Sequence, residues 1–490
     1  MLKKRLLYLL KEVIEMEIRI SNVIAIKEPT KDIVDYFKNK LTYTNPQYAM
    51  MKNMGRSVYK VPKDIRLYNL YEGVLYIPVG CFEDLYNMHP INSDYIDCCV
   101  NKPINIENNI TLRDYQKPCV NAVKDYCNVI LSMGCGMGKT LSCLSAIGEI
   151  KQRTLWLAGT IDLVKQAESS CKKFMKCKTS FITEGKLNLD GDIVFGTVQS
   201  VYKFIQNGEL KQDEFGCIVL DECQHISANP KSLQMFRTVF EYFAAKYRVG
   251  LSATVWRTDG LEKAIVDIIG KIKYNITQKG KEYYCMYDNK CLMKFPIDRF
   301  QVPCHVVVRE TNYTIGDKDV YSKNGGTIEF ASLISDIGNN EERNKVILED
   351  LKKVKGSTIV LSDRITQLKF FESNLDSVVL ITGDTPKKLR EQGLNDIREG
   401  KKKYLLASYS LAREGLDAPI LSNLILATPI KAFSSVVQSI GRIQRPYEGK
   451  NIAYVYDYVD DVGMLLGFYT KRRAIYRKNG WVIENMYLGG

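Results

Sequence analysis

The chain has 490 residues, of which 45% are hydrophobic and 26% charged, a globular composition that excludes long-range disorder and collagen-like repeats. Its 69 Lys and Arg against 56 Asp and Glu give a net charge of +13, which permits a polyanionic partner without establishing one. At roughly 150 residues per domain, the length predicts about three domains.

The N-terminus does not have the pattern of an export signal. Its basic start is followed by an apolar run of only five residues before Lys11. No uncharged apolar run approaches the roughly 20 residues needed to span a membrane. We therefore expect a soluble intracellular protein without membrane association, whose 14 cysteines are reduced.

The first hundred residues are typical of a small mixed domain. Residues 1–30 predict a helix followed by a strand, and residues 42–100 are rich in Tyr, Asn and Pro with short strand-like runs such as 74–78. We assign residues 1–105 to an N-terminal accessory domain.

From about residue 112 to 270, short apolar runs alternate with helical stretches, and after a polar stretch at 271–300 the same rhythm returns. Buried strands separated by helices predict an α/β fold with parallel, doubly wound sheets. We therefore expect two tandem lobes, at 106–272 and 341–490, joined by a connector at 273–340 that leads into the second lobe. The predicted strands are 129–133, 154–158, 192–195, 217–220 and 247–251 in the first lobe, and 358–361, 377–381, 404–407, 424–427 and 452–456 in the second.

A glycine-rich segment follows the first of these strands and precedes a helix-like stretch. Its backbone N–H groups and the helix dipole can hold phosphate oxygens, Lys139 can reach the β- and γ-phosphates, and Thr140 can bind Mg²⁺. The strict P-loop pattern has glycine where this chain has Met133. The alternative is a glycine-rich turn with an incidental lysine. The candidate phosphate-binding residues are Gly134, Cys135, Gly136, Met137, Gly138, Lys139 and Thr140.

Two adjacent carboxylates, Asp221 and Glu222, follow the apolar run at 217–220. Such a pair at the end of a buried strand is costly unless it faces a cation. Asp221 can hold Mg²⁺ through water, and Glu222 can orient or deprotonate the attacking water. The alternative is an ordinary loop start. A P-loop whose lysine lies 82 residues before Asp221 disfavours that alternative.

Together with Leu251-Ser-Ala-Thr254, these segments resemble the superfamily 2 helicases of DEAD/DEAH type, nearest to the phage and viral branch-unwinding DNA helicases. The ordered motifs extend from about 112 to 480, so the resemblance covers both lobes. It implies two RecA-like lobes that close over ATP and Mg²⁺ and hydrolyse ATP as they move on nucleic acid. It also implies the cytoplasm of a bacterium or of a virus-infected host cell.

The resemblance assigns further roles to residues of this chain. Arg113 and Gln116 lie in a segment similar to the one that contacts adenine, with Gln116 as the base reader. The implied nucleic-acid contacts are Thr160, Gln166, Thr197, Gln199 and Ser408, the implied coupling residues are Gly415 and Asp417, and the implied γ-phosphate residues are Gln438, Arg442 and Arg445.

The box containing the two carboxylates departs from the family pattern at its fourth position. Gln224 stands where the family has His or Asp, and His225 follows it. Because glutamine can still hydrogen-bond to the Ser-Ala-Thr segment, we expect ATPase coupling to survive. His225 either substitutes for the usual histidine or, as we expect, caps or packs after the strand.

Basic residues at three places are candidates for phosphate contact. Arg442 and Arg445 are three residues apart, so on a helix they share one face and could both point into the cleft between the lobes. Clusters at 172–178 and at 471–478, the second around Tyr476, suit a nucleic-acid backbone. For each set the alternative is a solvated helix face.

Two further segments leave alternatives open. The strip at 45–80 resembles, more loosely, the leader domain of viral helicases, and it either recognises nucleic-acid structure or buttresses the first lobe. Cys285, Cys291, Cys304 and His305 are the nearest approach to a zinc ligand set, against the simpler interpretation of separate thiols.

The sequence thus predicts an ATP-dependent helicase or translocase with ATP and Mg²⁺ as cofactors, DNA favoured over RNA as partner, and a monomeric chain. One alternative is a translocating ATPase that displaces protein or transcript without separating strands. Another is an ATP-gated binding switch, which the presence of Glu222 and both arginines disfavours.

Overall fold

A computed structural model describes residues 16–486 except 91–93, 135, 184, 224–229, 254–260, 280–281, 297–300, 312, 316–327, 410–417 and 431–432. The predicted N-terminal helix therefore lies outside the described residues. The chain divides into two compact units, one holding most residues up to Thr277 with Cys285–Met293, and the other most residues from Lys294 onward. In the described part, no helix is both long enough and apolar enough to cross a bilayer.

The N-terminal module contains β1 (Glu17–Ile20), β2 (Ile24–Lys27), α1 (Lys31–Lys40), β3 (Thr42–Thr44), α2 (Pro46–Asn53), β4 (Asp64–Arg66), β5 (Asn69–Tyr71), β6 (Val74–Ile77), a 3₁₀ turn (Val79–Cys81), α3 (Phe82–Met88) and β7 (Tyr95–Asp97). Five of these strands form a sheet in the order β5-β6-β2-β1-β7, and β3 pairs with β4 in a separate ribbon.

The first lobe continues with β8 (Glu107–Asn108), α4 (Lys117–Tyr126), β9 (Asn128–Ser132), α5 (Lys139–Ile150), β10 (Thr154–Ala158), α6 (Ile161–Phe174), β11 (Met175–Lys176), β12 (Thr179–Thr183), β13 (Lys186–Leu187), β14 (Ile193–Thr197), α7 (Val198–Gln206), β15 (Cys217–Leu220), α8 (Pro230–Tyr242), β16 (Tyr247–Ser252), α9 (Glu262–Ile269), β17 (Ile272–Lys279), β18 (Glu282–Tyr287) and β19 (Lys290–Pro296).

The second lobe consists of β20 (Cys304–Glu310), α10 (Phe330–Asn339), α11 (Glu341–Lys353), β21 (Ser357–Leu361), α12 (Ile365–Asn374), β22 (Val378–Ile381), α13 (Lys387–Arg398), β23 (Tyr404–Ala407), β24 (Leu421–Leu426), α14 (Phe433–Ile443), β25 (Ala453–Val459), α15 (Gly463–Lys478) and β26 (Val482–Met486).

The sheet of the first lobe has the order β13-β12-β14-β10-β15-β16-β9-β17-β18-β19. Its six strands from β12 to β9 all pair in parallel, so their carboxyl ends lie along one edge. Every residue of β10 and β15 is buried, as a strand covered by helices on both faces requires. The predicted parallel α/β fold is confirmed.

The polar stretch predicted at 271–300 contains strands β17 to β19, which extend this sheet. Tyr283 and Cys285 alternate inward on β18 and are buried. Asp288 and Asn289 connect β18 to β19, and both have positive φ, 43° and 65°, as a tight hairpin turn requires. The Asp-Asn pair was the local signal for this hairpin.

The N-terminal module shares one apolar core with the first lobe. Buried side chains of its sheet, such as Ile18 and Ile26, belong to the same hydrophobic cluster as Ile130 of β9 and Ile268 of α9. Because that core is continuous, the module and the first lobe form one unit.

The sheet of the second lobe is parallel throughout, in the order β22-β23-β21-β24-β25-β20-β26. A buried ion pair joins its carboxyl edge to α11. The Arg343 Nε lies 2.6 Å from the Asp460 Oδ1, Arg343 Nη2 lies 3.1 Å from Oδ2, and both side chains are fully buried. Arg343 Nη1 also donates to the carbonyl oxygen of Ala427 at 2.7 Å.

We predict that Arg343→Ala destabilises the second lobe by about 3–5 kcal/mol, because it leaves the Asp460 carboxylate buried without its cation. Urea denaturation followed by circular dichroism measures the loss. Lys345→Ala on the same helix is the matched control. It also removes a cation, but Lys345 is exposed and its Nζ lies 3.9 Å from the Glu341 Oε2. We expect the control to change stability by about 0.5 kcal/mol or less. Equal losses in the two variants would contradict the prediction.

Candidate active site

The glycine-rich segment leaves β9 at the carboxyl edge of the first sheet. Met133 is buried, and its backbone N–H donates to the carbonyl oxygen of Ser252 at 2.9 Å, which ties the segment to the end of β16. The methionine that departs from the P-loop pattern is therefore part of the core. Gly136 and Gly138 have φ of +79° and +81°, a conformation that glycine adopts without strain.

The segment ends at the N-terminus of α5, which begins with Lys139. Helix N-terminal N–H groups and their dipole attract phosphate oxygens. Ser142 supports the turn, since its hydroxyl and its backbone N–H both donate to the carbonyl oxygen of Gly138, at 3.0 and 2.9 Å. We did not predict a role for Ser142; its i,i+4 spacing from Gly138 was the available signal.

Gln116, the expected adenine reader, lies against this loop. Its side chain is buried, its Oε1 accepts from the backbone N–H of Arg113 at 2.9 Å, and its Nε2 lies 3.5 Å from the carbonyl oxygen of Gly138. Arg113 also donates to the Tyr115 hydroxyl at 3.2 Å. The segment expected to contact adenine and the glycine-rich loop are therefore joined through Gln116.

The two carboxylates lie opposite Lys139. Asp221 follows β15, and its backbone N–H donates to the carbonyl oxygen of Leu157 in the neighbouring strand at 2.8 Å. The Lys139 Nζ lies 3.6 Å from the Glu222 Oε1, with Lys139 only 9% exposed. The structure thus brings together a cation and two carboxylates at the carboxyl edge of the sheet, after β9 and β15, which β16 separates.

The electrostatics of this cluster favour a bound cation. Burial, reinforced by the negative charge of Glu222, raises the pKa of Asp221 to about 7, while Lys139 opposes that shift. A divalent ion would relieve the repulsion between the carboxylates, and carboxylate and hydroxyl oxygens are ligands that Mg²⁺ accepts. Thr140, half-buried at the start of α5, supplies such a hydroxyl. The donor set therefore fits Mg²⁺.

Glu222 is held in an unfavourable backbone conformation. Its φ is +51°, in the left-handed region that costs a non-glycine residue on the order of 1 kcal/mol. Its backbone N–H donates to the Asp221 Oδ1 at 2.9 Å, which helps to hold this conformation. Strain of this kind concentrates at functional sites, where a side chain must be aimed in one direction.

The predicted nucleic-acid contacts of the first lobe follow neighbouring strands of the same sheet. Thr160 caps α6 by accepting from the Leu163 N–H at 3.4 Å, and Thr197 caps α7 by accepting from the Ser200 N–H at 3.2 Å. Their strands are paired in parallel, with Ala158 opposite Thr197. Two helix N-termini thus lie side by side at the carboxyl edge, where they can bind phosphates. Gln166 and Gln199 are both exposed.

Of the residues predicted in the second lobe, Ser408 is half-buried directly after β23. Gln438 lies on α14, and Arg442 is in its last turn. The expectation that both arginines share one helix is wrong for Arg445, because α14 ends at Ile443 and the Arg445 N–H donates to the carbonyl oxygen of Arg442 at 3.4 Å.

Several predictions fall outside the described residues. They concern Cys135 in the glycine-rich loop, Gln224 and His225 in the acidic box, and Gly415 and Asp417 in the second lobe.

The prediction that the basic cluster at 471–478 forms a nucleic-acid surface is wrong in part. Arg472 is buried, and its guanidinium donates to both carboxylate oxygens of Asp457 at 2.9 and 2.8 Å. Tyr476 is also buried and donates to the same carboxylate at 2.7 Å. Neither is available to a phosphate or a base. The exposed cations of this cluster are Lys471, Arg473, Arg477 and Lys478.

The cluster at 172–178 has four exposed lysines, two of which have carboxylate partners. Lys172 lies 2.5 Å from Glu168, and Lys176 lies 2.9 Å from Glu107. These pairs reduce the positive charge of the surface, so its role as a phosphate contact stays a prediction.

The proposed zinc ligands do not form a common site in the described part. Cys285 is buried with its thiol 3.4 Å from the Tyr274 hydroxyl, whereas Cys291 is exposed. Among the described residues, no group of three or more His, Cys, Asp and Glu side chains could hold a metal ion.

We predict that Gly138→Ala weakens ATP binding. A Cβ at this position would lie 2.3 Å from the Gln116 Nε2, and the positive φ adds strain of about 1 kcal/mol. Displacing Gln116 removes the base contact, so we expect the Kd of a fluorescent ATP analogue to rise by about tenfold. Gly159→Ala is the control, because no atom lies within 4 Å of a Cβ there. An unchanged Kd in Gly138→Ala would contradict the link between Gln116 and the loop.

Two family models match the chain, "Type III restriction enzyme, res subunit" over residues 109–257 and "Helicase conserved C-terminal domain" over residues 341–446. Together they cover more than half of its length. They coincide with the lobe that carries the glycine-rich loop and with the lobe that carries Arg442 and Arg445.

Known relatives extend this match along the chain. A putative ATP-dependent RNA helicase L396 of Acanthamoeba polyphaga mimivirus is 28% identical over 395 residues, 77% of this chain and 70% of that protein. The probable helicase D10 of Escherichia phage T5 is 27% identical over 480 residues, 95% of each chain. The DNA 3'-5' translocase XPB2 of Sulfurisphaera tokodaii is 24% identical over 392 residues, 76% of this chain and 84% of that protein. With the motif order and the two parallel-sheet lobes, these matches identify the chain as a superfamily 2 helicase or translocase, an ATP-hydrolysing enzyme near the viral branch of that family.

Proposed function

We propose that this enzyme uses Mg²⁺-ATP to move along DNA and to separate or remodel its strands. The observation that carries the proposal is the shared carboxyl edge of the first sheet. Lys139, Asp221 and Glu222 lie at this edge, and the capped helix N-termini at Thr160 and Thr197 follow neighbouring strands of it. Because the ATP site and the proposed path of the nucleic-acid strand share one edge of the sheet, the sheet can couple ATP hydrolysis to nucleic-acid binding.

In this proposal each group at the edge has a separate role. Lys139 neutralises the β- and γ-phosphates, and Glu222 orients the attacking water and accepts its proton. Thr140 and Asp221 would hold Mg²⁺, which when bound neutralises phosphate charge. Arg442 and Arg445 are proposed to stabilise the charge that develops on the γ-phosphate, following the motif that contains them.

DNA is proposed as the substrate over RNA. The name of the Sulfurisphaera tokodaii relative supports DNA. The residues of the motifs also resemble most those of the phage branch-unwinding helicases. The name of the mimivirus relative favours RNA, so RNA is the second candidate.

A side-by-side ATPase comparison tests the substrate. Rates are measured with single-stranded DNA, duplex DNA, forked DNA and single-stranded RNA of matched sequence. We expect DNA to stimulate hydrolysis at least tenfold more than RNA does. Stimulation by RNA alone would overturn the DNA assignment. Fork unwinding, compared with displacement of streptavidin from biotinylated duplex, separates a helicase from a translocase that leaves strands paired.

We predict that Lys139→Ala and Glu222→Gln both abolish hydrolysis for different reasons. Lys139→Ala removes a phosphate contact and should weaken ATP binding, whereas Glu222→Gln acts on the water and should keep it. Equilibrium binding of a fluorescent ATP analogue and steady-state phosphate release separate the two effects. Lys124→Ala is the control for loss of a lysine, since Lys124 is exposed and lies 3.8 Å from Glu149. Glu222→Gln turning over ATP at the wild-type rate would disprove the base assignment.

A further inference from the structure

Residues 45–63 form an arm that leaves the N-terminal module between β3 and β4. The two strands pair from Thr42 opposite Arg66 to Thr44 opposite Asp64. Asn45 closes the base of the arm: it is fully buried, its backbone N–H donates to the Lys63 carbonyl oxygen at 2.9 Å, and its side-chain amide donates to the Pro62 carbonyl oxygen at 2.8 Å. Beyond Asn45, no residue from 46 to 63 is buried. The arm therefore has a fixed base and no core of its own.

The arm is positively charged along its length. Lys52, Arg56, Lys60 and Lys63 are all exposed, and residues 45–63 contain no Asp or Glu. In the part of the chain that the structure describes, none of these four cations forms an ion pair. Their charge is thus available to an external anion.

The arm also exposes large apolar side chains. Met50 is 50% exposed, Met54 is 59% exposed, and Tyr59 is 83% exposed, the most of any large apolar residue among those described. The Lys60 ammonium lies 5.7 Å from the centre of the Tyr59 ring. Three large apolar side chains exposed within ten residues of one segment are typical of a surface that contacts a partner.

The base of the arm is anchored to the first lobe. The Tyr43 hydroxyl donates to the Asp267 carboxylate on α9, and the Lys40 Nζ lies 2.9 Å from the same group. On the other strand of the ribbon, the Arg237 guanidinium of α8 donates to the carbonyl oxygens of Arg66 and Leu67 at 3.1 and 3.0 Å. Because both strands of the ribbon are held, the arm moves with the lobe that binds ATP.

We propose that this arm binds the branch point of a DNA substrate, with its cations on backbone phosphates and Tyr59 stacked on an unpaired base. The inference rests on the proposed function and names the substrate structure that the enzyme prefers. Intact duplex offers no free base face to a tyrosine, and a single strand lacks the duplex phosphates. A branch supplies both, and methionine side chains such as Met50 and Met54 can contact the exposed base pair beside it.

The test compares forked DNA with single-stranded DNA of equal length by fluorescence anisotropy. Tyr59→Ala should raise the Kd for the fork by about tenfold and lower the ratio of fork to single-strand affinity, since one stacked base is lost. The double variant Arg56→Ala with Lys60→Ala should make fork binding less sensitive to salt. Each lost phosphate contact reduces the slope of log K against log salt concentration by roughly 0.9, so the slope should fall by up to about two. Thermal unfolding verifies that each variant is folded.

Matched controls lie on the same module. Tyr71→Ala removes a tyrosine that is 61% exposed and adjoins Glu72, and Lys27→Ala with Lys31→Ala removes two exposed lysines near acidic residues. The controls should bind fork and single strand as the wild type does.

The arm assignment would be overturned if the arm variants bound the fork as tightly as the wild type does. It would also be overturned if the controls lost as much fork affinity as the arm variants. Fork affinity unchanged together with a shift in oligomeric state, measured by light scattering, would also overturn it and assign the apolar residues to self-association. A wild-type enzyme that no DNA stimulates would instead overturn the proposed function, so the two failures are distinguishable.

Discussion

Parallel pairing of the strands β9, β16 and β15 places Lys139, Asp221 and Glu222 at one edge of the first sheet. Ser132 lies opposite Ser252, and Leu220 lies opposite Gly250, so the loops that follow β9 and β15 leave the sheet within two residues of the same level. A shift of one residue would turn buried side chains to the opposite face and would separate Lys139 from the carboxylates. Because these strands are buried on both faces, their register is held by the close packing of side chains against the covering helices. The chemistry of the site thus depends on a purely structural ladder of hydrogen bonds.

Charge balance is the second constraint on the site. Lys139 is almost buried, and Asp221 and Glu222 are the carboxylates that offset its charge before nucleotide binds. A buried cation or carboxylate without a partner costs several kcal/mol. The contact between Lys139 and Glu222 therefore offsets part of the cost of burying these groups. The strained backbone of Glu222 is consistent with a site held ready for one geometry.

The N-terminal module is integrated with the first lobe through both apolar and ionic contacts. Its sheet shares a core with the lobe, and Asp267 of α9 accepts a hydrogen bond from Tyr43 and pairs with Lys40. Burial raises the pKa of Asp267, and the hydrogen bonds from Tyr43 and Lys40 oppose that shift. Lys271, just past the end of α9, pairs with Asp84 at 2.9 Å. The base of the arm is therefore in contact with α9, the helix that follows β16, and β16 in turn contacts the glycine-rich loop through Ser252.

The sequence by itself determined the parts of this protein that depend on local patterns. Apolar runs specified the strands at 154–158 and 217–220 to the residue, and the spacing of glycines before Lys139 specified the loop-to-helix turn. Asp221 and Glu222 were predicted because two carboxylates at the end of a buried strand need a cation. Each of these signals is complete within about ten residues.

Tertiary structure decided which polar side chains are buried. Arg472 and Tyr476 belong to a basic, solvent-like pattern in sequence, yet both are buried with hydrogen bonds to Asp457 on β25. Strands β17 to β19 are polar enough to suggest a connector, yet pairing with β9 places them in the first sheet. The exposure of Tyr59 was likewise not predicted from the sequence. It follows from the arm structure, in which Asn45 fixes the base and the residues beyond it are not buried. For Arg472 and Tyr476 the physical reason is that burying a polar group is favourable only where a distant partner satisfies it, and no local pattern reports that partner.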